Sequence, residues 1–262
     1  MAEMLAHPSK VAGMSDHDDA HRIATEAGVL LLEIRAEAAA GRLDPSQLKD
    51  EGDRRSNDLI LARLAELYPD DAVLSEEKAD DPTRVNAVRT WIVDPLDGTR
   101  EFGEDPRTDW AVHVALVEKG FPTVAAVALP AQGLTLSTVD PPGMPPRVDR
   151  APILVVSRTR PPAETEIVRA ALGGDLLPMG SAGAKAMAVV QGEADVYVHG
   201  GGQWEWDSAA PVGVAAAVGF HVSRLDGSPL VYNQVPPWLP DLVICRPELA
   251  EQVLAAAASA AG

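Results

Sequence analysis

Cysteine is almost missing from this chain: the single Cys245 cannot close an internal disulfide, which excludes a disulfide framework and makes a reducing cytoplasm the expected compartment. Positive charge is also scarce. Lys and Arg number 22 against 39 Asp and Glu, a net charge of −17. A surface that acidic repels phosphate backbones and anionic lipid headgroups, so neither a nucleic acid nor a membrane is expected as a partner. Long apolar runs are lacking as well. The stretch from Val212 to Phe220 falls far short of the roughly 20 residues of a membrane span, and the opening MAEMLAHPSK has no apolar stretch of signal-peptide length. What the chain does have is 262 residues that are 46% hydrophobic, enough for one large core or two closely joined halves. If such an acidic protein handles a polyanionic metabolite, its charge must be reversed locally, most simply by divalent cations held on carboxylates.

Residues 1–14 read as a frayed tail, after which Ser15-Asp16 caps a first helix that ends at Gly41. A second helix follows Asp53, with Leu59, Ile60, Leu64 and Leu67 on one face. Short β-branched segments at 90–93, 109–117, 123–129 and 133–138 predict a meander. The Pro-rich stretch 140–150 forms the joint between two halves. Beyond it, strands near 153–156, 195–198, 220–222 and 242–245 alternate with helices near 163–171, 181–190, 208–217 and 247–259. The expected organisation is α+β in layers: one unit over 15–262, in two halves over about 15–140 and about 151–262.

The chemistry concentrates in Trp91-Ile92-Val93-Asp94-Pro95-Leu96-Asp97-Gly98-Thr99. Pro95 pushes Asp94 into extended geometry at the end of a strand and starts a turn that returns Asp97 to the same side, so that two carboxylates share a cation. Gly98 lets the backbone pass close to a ligand, and a helix or turn starting there would offer the N–H groups of Gly98 and Thr99 to an anion. Taken alone, the segment also fits a strand followed by an Asp-Pro turn with a surface aspartate. Ser75-Glu76-Glu77 alone fits a solvated acidic turn, and Asp207, between Trp204-Glu205-Trp206 and an Ala-rich helix, fits an ordinary N-cap.

In combination these segments resemble the lithium-sensitive, magnesium-dependent phosphatase superfamily, which includes inositol monophosphatases, fructose-1,6-bisphosphatases and 3′(2′),5′-bisphosphate nucleotidases. Its order of an acidic residue, EE, WIVDPLDGT and WDxAAG is matched by Asp53, Glu76-Glu77, residues 91–99 and Trp206-Asp207-Ser208-Ala209-Ala210-Pro211, with Pro211 in place of the usual Gly. Arg100-Glu101-Phe102 and Ser157-Arg158-Thr159-Arg160 are similar to segments of the CysQ-type nucleotidases. The resemblance implies an αβαβα sandwich, a homodimer, a catalytic unit whose half over about 15–140 binds metal and phosphate and whose half over about 151–262 binds substrate, and two or three Mg²⁺ ions held by Glu76, Asp94, the Leu96 carbonyl, Asp97 and Asp207. It further implies that Asp53 and Thr99 orient the attacking water, and that Gly98, Thr99, Gly180, Ser181 and Lys185 meet the substrate, Lys185 reaching for a second phosphate. Taken alone, Lys185 equally fits an exposed lysine near a helix start. The implied activity is hydrolysis of adenosine 3′,5′-bisphosphate in sulfate assimilation. Inositol phosphate or fructose 1,6-bisphosphate as substrate, and a metal-binding regulatory protein without turnover, are the alternatives.

Overall fold

The computed structural model describes residues 15–258; the tail expected over 1–14 lies outside the described residues. Ser15 caps α1 (Asp16–Ala39) through a reciprocal bond with Asp18, as its sequence signature requires. The second helix, α2 (Leu48–Leu67), begins earlier than its apolar spacing suggests, so Asp53 lies within the helix rather than before it.

Five strands make the first sheet: β1 (Ala72–Ser75), β2 (Arg89–Asp97), β3 (Ala111–Glu118), β4 (Phe121–Leu129) and β5 (Leu134–Ser137), with the one-turn helix α3 (Thr99–Phe102) between β2 and β3. They lie in chain order, β1 parallel to β2 and the others antiparallel. After an irregular stretch come β6 (Ile153–Ser157), α4 (Ala163–Leu172), β7 (Asp175–Met179), α5 (Ala182–Gln191), β8 (Val196–His199), β9 (Gln203–Trp204), α6 (Ala209–Val218), β10 (His221–Ser223), β11 (Trp238–Leu239), β12 (Leu242–Cys245) and α7 (Ala250–Ala258). The second sheet runs β10-β12-β8-β6-β7, and β9 pairs with β11 in a separate ribbon.

Alternation along the strands sorts their side chains into layers. Trp91 and Val93 of β2 pack outward with Ile23, Leu31, Ile60 and Leu64 of α1 and α2. Ile92 between them joins Ala125 and Val127 in a central core that takes in Met187 and Val189 of α5, Val212 and Val214 of α6, and Val155 and Ile244 of the second sheet. The far face of that sheet, with Leu154, Val198 and Val243, packs on Val168 of α4 and Val253 of α7. The order is helices, sheet, helices, sheet, helices: the expected αβαβα sandwich.

β7 escapes the sequence pattern because Asp-Leu-Leu-Pro-Met carries Pro178. It is an edge strand bonded only to β6, where a residue without an N–H is tolerated. Among the described residues no helix is long and apolar enough to cross a membrane.

Candidate active site

The acidic segment does not turn away at Pro95. The strand continues through Asp97, and the ladder between β2 and β3 shifts register between Asp94 and Asp97. In a regular strand residues three apart face opposite ways; the irregularity removes that alternation and lets both carboxylates meet. Asp94 Oδ1 accepts from Leu96 N at 3.0 Å, and Ser56 of α2 donates to the Pro95 carbonyl at 2.7 Å, so the kink is held from within and from outside. Asp207 arrives from the second half of the chain. Its Oδ2 accepts from Trp204 N at 2.8 Å and closes the turn before α6, so it caps this turn rather than the helix expected at 208–217. One carboxylate oxygen from each of Asp94, Asp97 and Asp207 lies within 4.8 Å of the others.

Asp97 is the most elaborately held. Its Oδ2 accepts from Ser181 Oγ and Gly183 N, both at 2.5 Å, and its Oδ1 accepts from Ala182 N at 3.1 Å. Ser181 can donate there and cap α5 at the same time because its φ is +33°, a left-handed geometry stabilised by both bonds. Gly183 has no room for a side chain: a Cβ would stand 2.0 Å from His113 Nε2. That imidazole, fully buried in β3, faces Asp97 at 3.2 Å and meets the Trp206 carbonyl through Nδ1 at 3.0 Å. Burial alone would raise the Asp97 pKa; His113 and the donors of residues 181–183 outweigh it and hold the carboxyl at about 2.

Its neighbours are pushed the other way. Burial, then the charges of Glu76, Asp97 and Asp207, raise Asp94 well above the usual carboxylate range. Loss of water around the Glu76 carboxyl and the nearby Asp207 charge bring Glu76 to about 7, with Asp94 hydrogen-bonded beside it. Asp207 rises to about 6 through burial and the Asp97 charge. Asp53, on α2, rises to about 7 through burial and Glu77. Its Oδ1 is 3.3 Å from the Thr99 hydroxyl, which is 3.2 Å from the Leu96 carbonyl. Crowded acidic oxygens whose charges repel one another fit a hard divalent cation, and this cluster could hold a metal ion.

The metal-free protein is expected to lose stability as pH rises. Asp53, Glu76 and Asp207 bind more protons folded than unfolded; their stabilising contribution is complete below the ordinary carboxylate range and is lost as pH rises through 6 and 7. Asp97 has the opposite sign, but its contribution is lost only as pH falls toward 2. Thermal midpoints in a chelator are therefore expected to fall between about pH 5 and 8, and added Mg²⁺ is expected to remove most of the fall. A midpoint in chelator that rises over this range would contradict the assignment.

Within the segment 180–185, Ser181 and Lys185 line the cavity beside Asp97 and Asp207. Lys185 is buried, 6% exposed, and its Nζ donates to the carbonyls of Gly180 and Ser181, both at 2.8 Å, so it braces the loop that grips Asp97. Desolvation lowers its pKa. Gly180 N donates to Asp109 at 2.6 Å, and Gly98, φ +86°, lets Ser181 approach α3. The two CysQ-like segments meet: Arg158 pairs with Glu101 at 2.6 Å and with Glu104 at 2.7 Å, tying the end of β6 to α3.

One group escaped the sequence reading, and another, Glu205, was quoted in it without a task. His113 was detectable only as a lone polar residue in the apolar strand Ala-Val-His-Val-Ala-Leu-Val. Glu205 is fully buried and accepts from Asn233 N at 2.7 Å and Gln234 N at 2.8 Å. Arg84 grips the same loop through the Asn233 side chain and the Gln234 carbonyl, and pairs with Asp80. The loop thereby links the Asp207 turn to the segment following Glu76-Glu77.

Residues 18–261 match the family described as the inositol monophosphatase family, and the chain belongs to it. Within that family it is 52% identical over 243 residues, 90% of each chain, to a 3′-phosphoadenosine 5′-phosphate phosphatase of Mycobacterium tuberculosis. It is 33% identical over 194 residues to the 3′(2′),5′-bisphosphate nucleotidase CysQ of Escherichia coli, covering 69% of this chain and 78% of the relative. The crystal structure of CysQ from Bacteroides thetaiotaomicron aligns with a TM-score of 0.75 at 26% identity, over 90% of this chain and 99% of that one.

Proposed function

We propose that the protein is a magnesium-dependent phosphomonoesterase that removes the 3′-phosphate of adenosine 3′,5′-bisphosphate, leaving AMP and inorganic phosphate. The observation that supports the reaction class is the convergence of Asp94, Asp97 and Asp207, the last two lining a cavity of about 560 Å³. Kinship with the mycobacterial and CysQ relatives supports the substrate. Held by Glu76, Asp94, Asp97, Asp207 and the Leu96 carbonyl, two or three Mg²⁺ ions would neutralise the phosphate oxygens and make adjacent water more acidic.

The chain's own groups do the rest. Asp97, kept ionised by His113 and the 181–183 loop, anchors the negative end of the site at every pH of interest. Asp53, with a pKa of about 7, can take a proton from the attacking water at neutral pH, while the Thr99 hydroxyl beside it fixes that water. The water oxygen bonds to phosphorus as the bond to the ribose 3′-oxygen breaks; the leaving oxygen takes up a proton from solvent water, and Asp53 returns to solvent the one it took. No side chain is phosphorylated.

The test is kcat/KM for adenosine 3′,5′-bisphosphate, inositol 1-phosphate and fructose 1,6-bisphosphate at one Mg²⁺ concentration. One charge-assisted hydrogen bond to a second phosphate is worth about 1.5–3 kcal/mol, so the nucleotide is expected to lead inositol 1-phosphate by roughly 10- to 150-fold. Equal or reversed values would overturn the nucleotidase assignment and leave the acidic cluster as that of a phosphomonoesterase with another preference.

A further inference from the structure

The cavity that Asp97 and Asp207 line has a second wall of unusual composition. Trp204 and Trp238 both face it and remain 42% and 40% exposed, a large apolar area to leave in water beside a site. They are firmly held. Trp204 stacks on Trp206 at 5.2 Å and 13° and meets Trp238 edge to face at 5.0 Å and 82°, while β9 and β11 pair the two residues directly. The Gly-rich segment before β9 makes this possible. A Cβ on Gly202, φ +86°, would lie 2.0 Å from the Trp238 ring. Gln203 lines the same cavity, is 6% exposed, and its Nε2 has no hydrogen-bond partner among the described residues.

The cations of the lining divide sharply. Lys185 is committed to two backbone carbonyls, and Arg158 nearby is committed to Glu101 and Glu104. Arg160, exposed and also lining the cavity, has no ion-pair partner among the described residues. We infer that Trp204 and Trp238 are the stacking surface for the base of a nucleotide, with Arg160 as the cation for the phosphate that is not cleaved. The inference rests on the nucleotidase reading and deepens it. Stacking makes the site selective for an aromatic base, and the free guanidinium makes it selective for a second phosphate.

The test compares ligands that differ by one group. AMP and ribose 5-phosphate, which lacks the base, are measured as inhibitors; adenosine 3′,5′-bisphosphate and adenosine 3′-phosphate are measured as substrates. Trp238→Leu is expected to shrink the advantage of AMP over ribose 5-phosphate by on the order of 10-fold, and Trp238→Phe, which keeps a ring, to restore most of it. Arg160→Met is expected to shrink the advantage of the bisphosphate over the 3′-phosphate by roughly 10-fold. An unchanged first ratio overturns the stacking surface, and an unchanged second ratio overturns Arg160. Should Trp238→Leu fail to fold, wild-type fluorescence decides: quenching by AMP and not by ribose 5-phosphate is expected, and its absence overturns the stacking. A wild type that prefers inositol 1-phosphate to the bisphosphate overturns the nucleotidase reading itself, before any variant is made.

Discussion

Asp97→Asn is expected to release phosphate at least roughly 100-fold more slowly than the wild type at saturating Mg²⁺, because supporting residues around a metal site alone are typically worth 10- to 100-fold. This change removes a charge from the cluster and also disrupts its anchor. Asp97 Oδ2 takes hydrogen bonds from Ser181 Oγ and Gly183 N and faces His113, so an amide NH₂ placed there would oppose donors with a donor. The stability of the folded protein should fall with it. Asp94→Asn is expected to be equally inactive but to behave oppositely in a melting experiment. Asp94 is buried among like charges, and an amide keeps the acceptor for Leu96 N while removing the repulsion. In chelator this variant should melt higher than the wild type. Phosphate release and thermal melting of both variants separate the roles; turnover within about 10-fold of wild type in Asp97→Asn would take that residue out of the site.

Asp53→Asn is expected to lower kcat by roughly 100- to 10,000-fold, the usual range for removing a general base, while Mg²⁺ binding measured by calorimetry stays close to wild type. Asp53 lies on α2, outside the trio of Asp94, Asp97 and Asp207, and its contact with the site is the Thr99 hydroxyl. Burial and the Glu77 charge raise its pKa, so the wild type is expected to show an acidic limb, activity rising with pH as Asp53 loses its proton, and that limb should vanish in the variant. Thr99→Ala, which misplaces the water and keeps the base, should lose less. An unchanged acidic limb in Asp53→Asn would assign the proton to another group.

Most of the acidic site was legible because its residues carry their chemistry in short, ordered segments. An Asp-Pro-x-Asp run after an apolar strand, a Glu pair after another and an Asp before an Ala-rich helix each fit an ordinary turn or cap when taken alone, and it is their combination in chain order that resembles a magnesium-dependent phosphatase. Lys185 illustrates the opposite. Its position near a helix start was read correctly, yet the task of its ammonium was decided by the carbonyls of Gly180 and Ser181, which the fold buries over it.

The sequence by itself determined the layered order of helices and strands and the inventory of acidic groups, since propensity, alternation and residue chemistry are properties of short segments. The tertiary structure alone decided how those acids are charged. Asp97 and Gly183 are 86 residues apart and meet at 2.5 Å, and His113 reaches Asp97 from the neighbouring strand. The return of Asp97 to the side of Asp94 was expected from Pro95, and the structure achieves it by a register shift between the two. A buried carboxylate's charge state depends on the donors, charges and water around it, and these are assembled by contacts between distant segments that no local pattern encodes.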